Sequence, residues 1–328
     1  MGIRHRLASM CTPSALEARA LRRRAVRAAA TVLMYHEVLP DEIDLPSWLV
    51  VKESEFERQM VHLRDHYDVI ALDDALARMD PSAPAPGGAR PIAVISFDDG
   101  YSGNYRCALP ILRRLGLPFT VYIATSKVET GGRYWYDDVI CALLQQRRRI
   151  RIETSRGLIL FSGRSRREER RWSEINGVLE ALKALPHPER DQFVKNIGDP
   201  SAVPELRMMT TAELASLASE RLVTIGNHTH THALLDQVPQ ETARAVIEKA
   251  QERLQAWTGL HPRHFCYPNG NYTPETIELV RELGFVSAVT TRTRLWRRTD
   301  PVHEIPRLGI GRFDNLNLFR ARTAGLLE

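Results

Sequence analysis

Residues 92–100 read IAVISFDDG. The run from Ile92 to Phe97 is almost unbroken in apolar character, which predicts a strand buried on both faces, as in a parallel sheet. Asp98 and Asp99 follow at its C-terminal end, and Gly100 turns the chain. In parallel α/β folds that end of the strands forms the active-site rim. Adjacent carboxylates repel, so the pair needs a cation or a shared proton; a metal that takes one leaves the other free as a base. An ordinary turn also favours Asp and Gly, so the motif has to be weighed with its surroundings.

Those surroundings alternate strand and helix. Upstream, TVLMY (31–35) is a β-rich run ending at His36, and Phe56, Met60, Leu63 and Tyr67 recur at helical spacing. VIAL (69–72) reads as a short strand, and DPSAPAPGGARP (80–91) as a loop. Downstream come a helix near 104–115 ending at Gly116, the strand FTVYI (119–123) and the strand LVTI (222–225). A helix over 240–257 follows, with Ala243, Ile247, Ala250, Leu254 and Trp257 on one face; then HFCY (264–267), a helix over 275–283 and VSAVT (286–290). This rhythm predicts a mostly parallel sheet, open or closed into a barrel. Residues 128–209 interrupt it with an aromatic cluster (Tyr134, Trp135, Tyr136), a hairpin (IRIETSRGLILF, 150–161) and two polar helices, and read as an insertion. Residues 1–30 read as a basic N-terminal extension, and 31–328 as the main domain.

The net charge of +5 is unevenly spread: residues 1–30 hold seven Arg against one Glu, and residues 147–171 hold ten Arg against three Glu. Both segments point to an anionic partner, a membrane face or a phosphate-linked substrate. Nucleic acid is disfavoured, because aromatic residues are not interleaved with the arginines. Cys11, Cys107, Cys141 and Cys266 match no zinc or disulfide spacing and fit a reducing compartment. The basic N-terminus lacks the apolar core of a signal peptide, and no stretch is apolar enough to span a bilayer. The expectation is a cytoplasmic protein, with peripheral membrane contact through the basic segments.

Two further motifs each follow a strand. In GNHTHTHALL (226–235), His228 and His232 are four residues apart, so one helical turn sets both imidazoles on one side; an extended chain would instead pair His230 with either. One Asp and two His form a mixed donor set that leaves coordination positions open, which points to catalysis rather than structural support. In FCYPNGNY (265–272), Pro268 and Gly270 shape a tight loop whose backbone N–H groups can face a ligand.

SFDDG (96–100), the His228-Thr229-His230-Thr231-His232 run and the Y-P-x-G loop, in that order, resemble the polysaccharide deacetylases of carbohydrate esterase family 4, the NodB homology domain. MYHEV (34–38) and the FxYPxG form are similar to the branch that includes deacetylases of poly-N-acetylglucosamine systems. The resemblance covers roughly residues 31–127 and 206–310. It implies a distorted (β/α)7-type barrel of parallel strands; the inserted α/β-hairpin segment and the N-terminal 30 residues fall outside it. It also implies a divalent metal, zinc by default, on Asp99, His228 and His232, and an N-acetylated carbohydrate substrate, free or carrier-linked. Asp98 would be the base, the Asn269 N–H an oxyanion donor, and His36 the acid, with His303 the second candidate. Tyr267 and Pro268 would line the pocket. The family's base-orienting Arg is missing: Cys266 stands in its place, Arg263 is out of register, and Arg307 in EIPRLGI is the candidate substitute. Rival readings are a deformylase or O-acetyl esterase on a carrier-linked sugar, and an inactive glycan-binding protein of the same fold.

Overall fold

The computed structural model describes residues 5, 10, 14–27, 29–43, 45, 47–83, 90–165, 167–197 and 206–327. Cys11 and residues 84–89 of the expected loop lie outside the described residues. The chain divides into two compact units, Met1–Ile43 with Trp48–Gly131 and Met208–Glu328, and Asp44–Ser47 with Gly132–Arg207.

The strands are β1 (Ala29–Tyr35), β2 (Glu37–Leu39), β3 (Val50–Lys52), β4 (Asp68–Val69), β5 (Ile92–Phe97), β6 (Phe119–Ile123), β7 (Ile150–Thr154), β8 (Gly157–Phe161), β9 (Val223–Asn227), β10 (His264–Cys266), β11 (Ser287–Val289), β12 (Trp296–Arg297) and β13 (Leu308–Gly309). In the larger unit the sheet runs β11-β10-β9-β6-β5-β1, parallel throughout; β4 joins β5, β13 joins β1 in parallel, and β12 joins β1 antiparallel. The chain from Val302 to Gly309 then bridges the two edges. Ile305 exchanges hydrogen bonds with Ala288 and Thr290 on one side, while Leu308 and Gly309 pair with Leu33 and Met34 on the other. The sheet thus bends round as a parallel-strand barrel, short and irregular on its closing side.

Side chains alternate across each strand. On β5, Ile92 and Val94 point inward to a cluster with Val32, Tyr122, Cys266, Val289 and Trp296. Ala93, Ile95 and Phe97 point outward to the helices, including Glu53–His66 and Leu109–Leu115. By that parity Ser96 and Asp98 face the barrel interior. VIAL proves shorter than expected: β4 ends at Val69, and Leu72 already begins the helix Leu72–Met79.

The smaller unit contains the expected hairpin, with Thr154 paired to Gly157 across a two-residue turn. Among its described residues it has three helices where two were expected (Trp135–Gln145, Glu168–Lys183 and His187–Asn196), the first built on the aromatic cluster. Arg171 fastens it: its guanidinium donates to the carbonyls of Leu143, Leu144 and Gln146 at 2.7–2.8 Å, at the C-terminal end of the first helix, where carbonyls lack partners. Among the described residues no helix is long and apolar enough to cross a membrane.

Candidate active site

The parallel register brings the ends of β1, β5, β9 and β10 to one rim. Tyr35 pairs with Phe97, and Asn227 with both Ile123 and Phe265, so His36, Asp98, His228 and Tyr267 each stand one residue past a strand end. Asp99 has φ 76°, a left-handed conformation that turns it away from Asp98 and lets two adjacent carboxylates serve different places.

The stretch 228–232 is not a helical turn, as the sequence spacing suggested. Thr229 (φ 63°) and His232 (φ 56°) both adopt left-handed backbone, and the chain folds back on itself. The Asn227 carboxamide starts the reversal by accepting from the Thr229 N–H at 2.8 Å. The loop is then tied down by Ser126 N–H on the His230 carbonyl and His230 N–H on the Val246 carbonyl, both 2.8 Å. The outcome still joins His228 and His232: their rings lie 4.8 Å apart, and the Nε2 of each is 3.4 Å from the same Asp99 oxygen, Oδ1. Donors about 2.1 Å from a shared tetrahedral ion sit about 3.4 Å from one another, so the spacing fits a cation such as zinc. His228 Nδ1 lies 2.8 Å from the Cys266 carbonyl, which can only accept, so Nδ1 carries a proton and Nε2 is the atom turned to Asp99. Burial opposes charge on this ring, but the neighbouring negative groups, Asp99 among them, raise its pKa, and a metal would displace the Nε2 proton. Burial pushes His232 down to about 4, which keeps that imidazole neutral and able to coordinate. His230 does not join them: its Nδ1 is 2.8 Å from the Thr125 hydroxyl, and its Nε2 is 4.0 Å from Glu129.

Asp98 is held by Arg307. The guanidinium meets both carboxylate oxygens at 2.7 Å, and donates also to Ser96 Oγ at 3.1 Å and the Thr290 carbonyl at 3.0 Å. Both residues are buried. Burial alone would raise the Asp98 carboxyl; the adjacent Arg307 charge overcomes it and keeps the group below the usual carboxylate range. Arg307 Nη2 also lies 3.2 Å from Cys266 Sγ, so the buried thiol borders the guanidinium. Burial pushes that thiol up, which keeps it neutral. Asp98, His228 and Cys266 also cluster closely, but a guanidinium already occupies both Asp98 oxygens, and a protonated thiol is a poor ligand.

His36 sits at the same rim, 8% exposed, edge-on to the Trp48 ring at 5.0 Å, with its carbonyl held by the Asn104 carboxamide at 2.7 Å. Burial lowers its pKa, and the Asp99 and Asp98 carboxylates oppose that. Asn269 lies in the loop after β10 with φ 57°, its carbonyl accepting from the Thr291 hydroxyl at 3.3 Å and its carboxamide donating to Asn271 at 2.6 Å; Pro268 beside it is buried.

Tyr267 departs from expectation. Instead of lining a pocket it is 0% exposed, packed with Phe265 and Leu279, with its hydroxyl donating to the His303 carbonyl at 3.1 Å. The reason is parity: Cys266 faces the interior, so Tyr267 faces the helices. His303 belongs to that outer layer too, its Nε2 2.8 Å from the Phe285 carbonyl, and Arg263 lies 3.7 Å from Asp73. Sequence reading overlooked Trp48, Ser96, Tyr122 and Thr125. Parity along β5 and β6 was the available signal for Ser96 and Tyr122; Trp48 and Thr125 left none.

Fold and rim together define a NodB-type barrel with a candidate metal centre at the strand ends. Residues 86–288 match the family model for polysaccharide deacetylase, and the chain belongs to that family. It is 30% identical over 93 residues to YxkH of Bacillus subtilis (strain 168), named a "Putative polysaccharide deacetylase"; that match spans 28% of this chain and 30% of YxkH. Among solved structures, IcaB from Ammonifex degensii aligns over 90% of this chain and 97% of its own, at 18% identity and a TM-score of 0.58. A de-N-acetylase from Aggregatibacter actinomycetemcomitans aligns over 88% and 96%, at 16% identity and 0.57.

Proposed function

We propose that the protein hydrolyses the N-acetyl group of an amino sugar in a glycan, oligosaccharide or lipid-linked saccharide, with zinc held by Asp99, His228 and His232. The observation that carries the reading is the division of labour between adjacent carboxylates: one Asp99 oxygen lies 3.4 Å from two imidazole nitrogens, while Asp98 is claimed by Arg307. Family membership supports it, as does a shared fold with a protein named as a de-N-acetylase.

A bound divalent cation lowers the pKa of water and polarises an amide carbonyl. Asp98, kept ionised by Arg307, accepts the proton of the attacking water. Arg307 acts through Asp98 as a positioning residue. The Asn269 N–H serves the oxyanion, and such a donor is worth about 3–4 kcal/mol of barrier. His36 is the acid for the departing amine: burial lowers its pKa, so the ring rests neutral at neutral pH, takes up a proton during turnover and passes it on readily. Acetate and a free amino sugar leave.

The test measures metal content and acetate release from N-acetylglucosamine oligosaccharides for three variants. Asp98→Asn should keep its metal and lose turnover by about a hundredfold or more. His228→Ala and His232→Ala should lose both. An active Asp98→Asn enzyme, or full metal content without either histidine, overturns the assignment.

A further inference from the structure

The β7–β8 hairpin breaks the pattern that a half-buried ribbon should follow. Its inner face is Ile150, Ile152, Ile159 and Phe161, with Ile159 and Phe161 buried. The outer face should then be polar. Instead Leu158 and Leu160 point outward, 45% and 47% exposed, paired across the ribbon with Glu153 and Arg151. Two adjacent outward leucines cost solubility and contribute nothing to the unit's own core.

Arginines bracket them. Arg156 stands in the turn at one end of the ribbon. At the other end Arg147, Arg148 and Arg149 enter β7 and Arg164 leaves β8, all exposed. Gly163 fixes this second cluster: it has φ +64°, and a Cβ there would lie 2.5 Å from the Arg148 carbonyl, so only glycine lets the two chain ends close up. The nearby carboxylates are engaged: Glu153 lies 3.7 Å from Arg151, and Glu189 accepts from the Ser155 N–H and hydroxyl at 2.8 and 2.5 Å.

We propose that this ribbon docks the protein on an anionic lipid surface, with Leu158 and Leu160 entering the acyl boundary and the arginines resting among the headgroups. Apolar tips ringed by guanidinium groups match an interface that is apolar below and negative above. A second copy of the chain is the poorer occupant, because it would bring like-charged arginine clusters together.

The full chain is sedimented with vesicles of phosphatidylcholine alone, or of phosphatidylcholine with phosphatidylglycerol. Wild-type protein should pellet with the anionic vesicles only, and raising salt from about 0.1 to about 0.5 M should release it. The Leu158→Ser/Leu160→Ser variant keeps every charge and should partition about tenfold more weakly. Arg147→Gln/Arg148→Gln/Arg149→Gln should lose the anionic preference. Both should keep wild-type acetate release on a soluble oligosaccharide. A Leu160→Trp variant gives an independent readout: its emission should shift to the blue on adding anionic vesicles. Equal binding to both vesicle types, no binding, or an unshifted tryptophan overturns the proposal. So does a dimer in solution that the double serine variant dissociates, which would assign the face to a second copy.

Discussion

At the scale of single residues, the Asp98–Arg307 pair decides how the rim is charged. Both oxygens of the carboxylate and both terminal nitrogens of the guanidinium are used, in the fork geometry that lysine cannot copy. Arg307→Met should leave a buried carboxylate unpaired and cost about 3–5 kcal/mol in chemical denaturation. Arg307→Lys should fold but turn over more slowly. In the wild type Asp98 titrates below its unfolded value, so its contribution to stability is complete above the ordinary aspartate pKa and fades as pH falls through the lower folded one. With lysine in place the burial effect regains ground, and the acidic limb of the pH–rate profile should move to higher pH. A limb left in place would remove Arg307 from the control of Asp98. Asp98, Asp99, His228 and His232 could be picked out from residue type and position after strands. Arg307 was a candidate partner only through the resemblance; spacing could not supply it, since 209 residues separate it from Asp98.

At the scale of elements, two joints can be tested. The helix Ser14–Arg27 is docked through Glu17, whose carboxylate accepts from Arg320 Nε at 2.8 Å and lies 3.1 Å from His62 Nε2. Burial works against the charge, but these partners prevail and lower Glu17 to about 2. Its stabilisation is therefore whole above about pH 4.5 and lost as pH falls toward 2. Glu17→Gln should cost about 2 kcal/mol and speed hydrogen exchange across 14–27 at neutral pH; unchanged exchange would show that the helix docks by other means. The second joint is the Pro268–Gly270 turn. Gly270 has φ +73°, and a Cβ there would lie 2.0 Å from Thr291 Oγ1. Gly270→Ala should displace the loop that carries Asn269, lowering kcat more than it raises KM. Much of the strand and helix pattern was readable from periodicity; the left-handed residues at Thr229 and His232 were not, because β-branched Thr rarely adopts that conformation and His, though enriched in it, adopts it too seldom for the residue type to announce it.

At the scale of the molecule, the donor set joins loops that leave β5 and β9, so a cation there links separate parts of the larger unit's barrel. Zinc at about a hundredfold excess over its Kd should add about 2.7 kcal/mol to stability, read as a higher Tm against a chelated sample. His232→Ala should abolish that increment. An equal rise in the variant would place the stabilising ion elsewhere.

The sequence alone determined the order of the main parallel strands and of the long helices between them, the parallel architecture, the rim where chemistry gathers and the residue types that gather there. Each of these is written in spacings of a few residues, because burial on a strand or helix repeats with a short period. Only the tertiary structure decided that Val302–Gly309 closes the sheet, that Tyr267 turns outward, and that Arg307 rather than Arg263 reaches Asp98. A buried charge finds its partner among all side chains that the fold turns inward at one height, and distance along the chain has no bearing on that choice.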